Sequence, residues 1–207
     1  QMKEEPILII LAGGKSSRMG TPKGLLTYRN SFWVLSQIEN YSIGNEVYIG
    51  LGFDAHVYFE AIPWLKKALE KPQIYANKKV SVVINPSPKL GLFSTLQSVL
   101  KHIPSNLDIV ITPIDIPLPN KEEFQKIALT NNTIVLPSYE EKNGHPIKLS
   151  FRCWKDLLEM ETTDSEARLD LQIKKRNASE ISIVEINDTS ILKNLNTPKD
   201  WQDFTAS

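Results

Sequence analysis

The sequence predicts an α/β protein: a three-layer α/β/α sandwich on a mainly parallel, Rossmann-like sheet. Apolar runs and helical stretches alternate through most of the 207 residues, which is the order of βα units feeding such a sheet. Several of the apolar runs are unbroken Ile, Val and Leu, as in strands that helices cover on both faces. Hydrophobic residues at 41% and charged residues at 23% fit an ordinary globular chain and exclude disorder as its main theme.

The elements follow in order. Ile7–Leu11, within an apolar stretch that ends at Ala12 and follows Glu4, Glu5 and Pro6, is too short for a signal sequence or a membrane span and reads as the first buried strand. Ser31–Ser42 is expected as a helix with Ser31 as its N-cap. Glu46–Leu51 is the second strand, and Ala55–Lys71 a helix that Pro63 kinks or splits. The polar residues 72–79 read as a loop before the strand Val80–Ile84. Leu92–His102 is helical, Asp108–Thr112 a strand, Lys121–Leu129 a helix and Thr133–Leu136 a strand. A second polar loop is expected over 137–145, then helices over Arg152–Glu161 and Glu166–Lys174 and a strand over Ile181–Glu185. No repeat or linker divides the chain, so one domain is expected over 2–207, with Gln1 before Met2 set aside as an appended residue.

Lys plus Arg and Asp plus Glu number 24 each, so the net charge is zero and no general field draws nucleic acid or an anionic membrane. Any anion must be captured by a local site. The single cysteine, Cys153, and the scattered His56, His102 and His145 offer neither an internal disulfide nor a Cys/His metal cluster, and predict a reducing, cytoplasmic setting. Cys153, Trp154 and Leu157 read as the core face of a helix, and Lys174-Lys-Arg176 as a solvated helix end.

The most informative segment runs from Leu11 to Lys23, directly after the first strand. Gly13 and Gly14 allow a tight turn and close backbone approach, and successive amide N–H groups there can face phosphate oxygens. Arg18 and Lys23 add two positive charges, so Leu11, Ala12, Gly13, Gly14, Arg18 and Lys23 together suit a triphosphate. A solvated glycine turn is the plainer alternative. A Walker A loop is excluded, because Gly14-Lys15-Ser16 would need glycine at the position of Ile9. Gly50-Leu-Gly-Phe-Asp-Ala55 matches the loose dinucleotide pattern, with Glu70 as a ribose partner, but that fingerprint normally occupies the first βα turn.

Leu11-Ala-Gly-Gly-x-Ser-x-Arg-Met-Gly-x-x-Lys23 resembles the signature of the MobA-like nucleotidyltransferases, the molybdenum cofactor guanylyl- and cytidylyltransferase branch of the nucleotide-diphospho-sugar transferase type. Further matches follow in order: Gly91-Leu-Phe-Ser-Thr-Leu96, Asp115-Ile-Pro117, Gly144-His-Pro146, Asp164-x-x-Ala-Arg168 and Asn196-Thr-Pro-x-Asp200. The resemblance implies a Mg²⁺-dependent transfer of a nucleoside monophosphate to a phosphorylated acceptor of molybdopterin type. It further implies a molybdoenzyme or its chaperone as a protein partner. Residues 55–79 are longer than the matching region usually is, and Ser165-Glu166 replace a stretch that commonly holds glycine.

Asp115, at the end of a strand and stiffened by neighbouring prolines, suits a Mg²⁺ ion or a plain turn role. The resemblance favours metal, and implies Asn196 as a second, neutral oxygen ligand beside its alternative of a local turn. By the same carry-over Gly91 and Ser94 lie near the nucleotide, Ser94 having helix capping as its alternative. His145 and Arg168 lie on the acceptor side, with a solvated histidine and a surface ion pair as the alternatives. Arg18, Lys23 and Asp115 then carry the chemistry by charge and position. No general base is needed, since a phosphate monoester is largely ionised at neutral pH. The base is left open: Ala12-Gly13-Gly14 is similar to the guanylyl form, whereas Ser94-Thr95-Leu96, Gly144-His-Pro146 and Asp164…Arg168 are closer to the cytidylyl form. A sugar phosphate as acceptor and a non-catalytic nucleotide-binding module are the alternative functions.

Overall fold

The computed structural model describes residues 4–15 and 19–207. β1 (Ile7–Ala12) is followed by a hairpin of β2 (Thr27–Tyr28) and β3 (Ser31–Phe32), then by α1 (Trp33–Asn40), β4 (Glu46–Leu51), α2 (Ala55–Ala61) and α3 (Trp64–Lys67). The chain continues through β5 (Gln73–Tyr75), β6 (Lys78–Ile84), α4 (Leu92–Leu100), β7 (Ile109–Pro113) and α5 (Lys121–Leu129). β8 (Ile134–Tyr139), β9 (Lys142–Asn143), β10 (Ile147–Leu149), α6 (Phe151–Leu158), α7 (Leu169–Lys174), β11 (Ile181–Glu185) and α8 (Pro198–Ala206) complete it.

The main sheet has nine strands in the order β11-β8-β10-β7-β1-β4-β6-β5, with β9 paired to β8. β1 pairs in parallel with β4 and β7, β4 with β6, and β8 with β11. Because β1 is central, both its faces are buried: Leu8, Ile10 and Ala12 join a core with Val34, Ile38 and Phe124 on one side. Ile7, Ile9 and Leu11 join Leu96, Val99 and Trp154 on the other. This two-sided burial is the physical reason for the unbroken apolar run, and it makes the α/β/α sandwich.

The structure revises several expected elements. Residues 31–32 form a strand of the β2–β3 hairpin, so the helix begins at Trp33 without a side-chain cap from Ser31. The 72–79 stretch is the β5–β6 hairpin, and 137–145 holds the end of β8 and all of β9. All three hairpins turn on a pair of residues at positive φ, Arg29-Asn30, Ala76-Asn77 and Glu140-Glu141. Such turns normally advertise themselves by glycine, and these contain none. β10 was not expected at all. It lies antiparallel between β7 and β8, which therefore do not pair with each other. Pro63 does separate α2 from α3.

The expected helix over Glu166–Lys174 shortens to α7, and α8 is an additional helix at the chain's end. Its start is a capping box, in which Thr197 Oγ1 accepts from the Asp200 N–H at 3.1 Å and the Asp200 carboxylate accepts from the Thr197 N–H at 3.0 Å. Trp201 and Phe204 of α8 pack edge-on against Trp33. Among the described residues no helix is long and apolar enough to cross a membrane.

Candidate active site

The site forms over the C-terminal ends of β1 and β7, where open α/β sheets take their ligands. Ile114 N–H donates to the Leu11 carbonyl at 2.9 Å, tying the segment after β7 to the end of β1. That segment is buttressed from α1: Trp33 Nε1 donates to the Ile114 carbonyl at 2.7 Å and Gln37 Nε2 to the Ile116 carbonyl at 2.9 Å. Gln37 is fully buried, and its Oε1 accepts in turn from Leu118 N–H at 3.3 Å. Asp115 projects from the centre of this clamped segment, its own carbonyl accepting from Leu195 N–H at 2.8 Å.

That last bond brings the chain's end to the site. Asp200 accepts from Asn196 N–H at 3.2 Å, fixing the backbone just before α8. Lys23 arrives from the opposite side, from a short 3₁₀ turn whose Gly24 N–H donates to the Tyr58 hydroxyl at 3.0 Å. Lys23 Nζ donates to Asn196 Oδ1 at 2.8 Å and stands 3.6 Å from Asp115 Oδ2, both Lys23 and Asp115 being mostly buried. A carboxylate oxygen and an amide oxygen thus converge on one cation. Hard oxygen donors around a positive charge are the set that Mg²⁺ and Mn²⁺ take, so Asp115 and Asn196 fit a divalent ion. No group of three His, Cys, Asp or Glu side chains able to hold a metal occurs among the described residues.

A cavity of about 320 Å³ opens on this constellation, lined by Ala12, Gly14, Lys15, Lys23, Asp115 and His145 among others. A second, of about 630 Å³, shares Leu11, Leu92 and His145 with it and extends under β8 and α7. Burial holds the His145 imidazole below its ordinary value, against the upward pull of the Asp115 carboxylate, so it is neutral at neutral pH. Its backbone N–H donates to the Ile191 carbonyl at 3.0 Å, and a Cβ on the preceding Gly144 would run into that carbonyl.

The expected site residues fall into four groups. Leu11, Ala12, Gly14, Lys23, Asp115 and His145 line the smaller cavity, and Asn196 stands beside Lys23. Gly91 and Arg168 line the larger one, Arg168 pairing with Asp170 at 2.9 Å. Gly13 and Ser94 lie behind the surface. An added Cβ on Gly13 would stand 2.6 Å from Thr95 Oγ1, whereas one on Gly14 would meet nothing. The buried Ser94 hydroxyl donates to Asn85 Oδ1 at 3.3 Å, which is neither a helix cap nor a cavity contact. Arg18 lies outside the described residues. Sequence reasoning passed over Lys15, Tyr58 and Asn194. Lys15 was legible as a cation beside the glycines, while nothing marks Tyr58 inside a helix.

Fold and site together define an α/β protein with a lysine, a carboxylate and an amide gathered over its sheet edge. The chain belongs to the MobA-like NTP transferase domain family, whose model matches residues 8–176, and it is thus of nucleotidyltransferase type. No curated protein matches the sequence significantly. Among solved structures it is similar to Rv0371c from Mycobacterium tuberculosis H37Rv, at 19% identity over 100% of both chains with a TM-score of 0.74. A manganese complex of Rv0371c is also similar, at 17% identity over 98% of this chain and 99% of that one, with a TM-score of 0.68. Molybdopterin-guanine dinucleotide biosynthesis protein A from Archaeoglobus fulgidus is 13% identical over 97% of each chain, with a TM-score of 0.66. At these identities the likeness shows the fold: a mixed, mostly parallel sheet flanked by helices.

Proposed function

We propose that this chain transfers a nucleoside monophosphate from CTP or GTP to a phosphorylated acceptor, releasing pyrophosphate. The observation that carries this reading is the convergence of Lys23, Asp115 and Asn196 on one point beside the glycine turn. Lys15, Lys23 and Arg18 neutralise the triphosphate, and the amides after β1 face its oxygens. Asp115 and Asn196 would hold Mg²⁺ or Mn²⁺, which when bound would supply charge screening and Lewis-acid polarisation of phosphate. The acceptor phosphate, largely a dianion at neutral pH, needs no base to attack. Lys23 balances charge developing on the leaving pyrophosphate, and the protein acts by positioning.

Molybdopterin or its metal-loaded form is the acceptor that membership of the MobA-like family favours, and the work then belongs to the cytoplasm, with a molybdoenzyme or its chaperone receiving the product. The likeness to an A. fulgidus protein with a molybdopterin-guanine role supports this choice. The experiment is a melting panel with CTP, GTP, UTP and ATP in the presence of Mg²⁺ or Mn²⁺. A ligand at 100 times its Kd stabilises by about 2.7 kcal/mol, a shift of several degrees. Absence of any shift across the panel would refute the nucleotide reading.

A further inference from the structure

The loop from Gly50 to Ala55, which matches a loose dinucleotide pattern in sequence, serves close packing. A Cβ on Gly50 would stand 2.8 Å from Thr95 Cγ2, and one on Gly52 would stand 2.5 Å from the Gly13 carbonyl oxygen and 2.9 Å from Pro88 Cβ. The loop therefore lies directly against the glycine turn after β1, and Phe53 N–H donates to the same Gly13 carbonyl at 3.4 Å. This packing brings α2, which begins at Ala55, to the edge of the Lys23–Asp115 cavity.

Tyr58 is the residue of α2 that lines this cavity, beside Lys15, Lys23 and Asp115. It is 2% exposed, and its hydroxyl oxygen accepts from Gly24 N–H at 3.0 Å. The fit is tight, since a Cβ on Gly24 would stand 2.5 Å from that oxygen. Burial raises the phenol above its ordinary value, so it keeps its proton at neutral pH. A hydroxyl has one proton to give besides the lone pairs it offers. Gly24 uses a lone pair, and among the described residues the proton meets no acceptor. A buried donor without an acceptor is costly in a closed core, and beside an open cavity it calls for a ligand that accepts. The ammonium groups of Lys15 and Lys23 in the same lining set the charge of that ligand as negative.

We propose that Tyr58 is a further ligand-binding residue of this site, its hydroxyl donating a hydrogen bond to a β- or γ-phosphate oxygen of the bound nucleoside triphosphate while it accepts from Gly24 N–H. The inference rests on the nucleotidyltransferase reading above. Gly24 directly follows Lys23, so the phenol and the ammonium act side by side on the part of the nucleotide that leaves as pyrophosphate. The proton stays on the phenol, which contributes a neutral donor to a charged acceptor.

The test is calorimetric, on the full chain with inorganic pyrophosphate, CTP and GTP in the presence of Mg²⁺. Tyr58→Phe should weaken pyrophosphate and the better-bound nucleotide about tenfold each, as loss of a hydrogen bond to a charged group does. Because that change also deprives Gly24 N–H of its acceptor and so reaches Lys23, it is repeated in Lys23→Ala, where a loss of about threefold or more should persist. A loss that vanishes there would mean that the hydroxyl acts only by placing the lysine, and would overturn the proposal. Binding by Tyr58→Phe within about twofold of the unaltered protein would overturn it equally. Replacement of Tyr58 by 3-fluorotyrosine nearly keeps the shape while making the hydroxyl a stronger donor and a weaker acceptor. Pyrophosphate should bind that protein at least as tightly as the unaltered one, and weakening beyond about twofold would count against the donated bond and overturn the proposal. An unaltered protein that binds neither pyrophosphate nor any nucleotide would instead remove the reading beneath it.

Discussion

Lys23 Nζ and Asn196 Oδ1 meet at 2.8 Å across a sequence separation of 173 residues. The bond joins the first βα turn to the start of the last helix, and it sets Lys23 beside Asp115. A lysine so held cannot wander as a surface lysine does, so its charge is in place before a ligand arrives. Lys23→Ala should lower kcat/KM for pyrophosphate release about 10²–10³-fold, as loss of a charge-stabilising group does. Asn196→Ala, which removes one partner of the lysine and the proposed second oxygen ligand of the metal, should lower it about tenfold. A Lys23→Ala enzyme within twofold of the unaltered one would show that the ammonium takes no part.

Asp115 tests the metal. Its side chain faces Lys23, while its backbone carbonyl makes the structural bond to Leu195. Asp115→Asn should therefore leave the melting temperature within a few degrees and remove the dependence of pyrophosphate release on added Mg²⁺ or Mn²⁺, along with most of the rate. Metal-dependent turnover at the original level would exclude Asp115 as a ligand.

The legible parts of this protein are those where one physical demand dominates. Burial on both faces forces the run Ile7–Ala12, and the glycine turn directly after it marks the place where Gly14 and Lys23 line a cavity. Asp115 stands out for the same reason, at the end of an apolar strand and beside prolines. The unexpected parts are set by tertiary contacts. Three residues, Ile147-Lys148-Leu149, are too short an alternation to mark β10, and Lys148 reads as a surface residue, yet it is 2% exposed because carbonyls at the C-terminal end of α5 take its ammonium. Gln37 looks like any polar helix position until Ile116 and Leu118 are seen to use both ends of its amide. The start of α8 is written in Thr197-Pro198 and Asp200, a capping box with proline at the first turn, in the same residues that carry the family's C-terminal motif.

The two glycines of the opening loop differ in kind. A Cβ on Gly13 would stand 2.6 Å from Thr95 Oγ1 and 3.1 Å from Thr95 Cγ2, and Thr95 sits on the stiff first turns of α4. Gly13→Ala should destabilise the fold by about 1–3 kcal/mol in urea unfolding. Gly14→Ala meets nothing and should change stability by no more than about 0.5 kcal/mol, with its effect showing in nucleotide affinity at the cavity it lines. Equal stability losses at the two positions would contradict the geometry.

Glu123 gives the fold an acid sensitivity. Lys126 Nζ donates to both its carboxylate oxygens at 2.8 and 2.9 Å, and the Asn187 N–H donates to Oε2 at 2.9 Å. Chiefly through Lys126, these partners hold the carboxyl below its usual value of 4.5. Because the folded value is depressed, the ionised group stabilises the fold above the unfolded value, and that contribution fades as pH falls through the folded one. The melting-temperature gap between the unaltered protein and Glu123→Gln should be widest near neutrality and close progressively below about pH 4.5. A gap that is constant with pH would exclude the charge as its source.

Lys148 is the sharpest test of the core. Its Nζ donates to the carbonyls of Ala128 and Thr130 at 2.8 and 2.9 Å, and lies 3.9 Å from Asp108 Oδ2. The first two are carbonyls at the C-terminal end of α5, where a cation also complements the helix dipole. Lys148→Met fills much of the same space but strands both carbonyls and leaves Asp108 without this cation. Removing one member of a buried, hydrogen-bonded charge set costs about 3–5 kcal/mol, far above the gain from added apolar burial. Urea unfolding of Lys148→Met should show a loss of that order. Since Lys148 lines neither cavity, kcat/KM per folded molecule should be unchanged. A stability loss under about 1 kcal/mol would mean that the ammonium does not hold these carbonyls in solution.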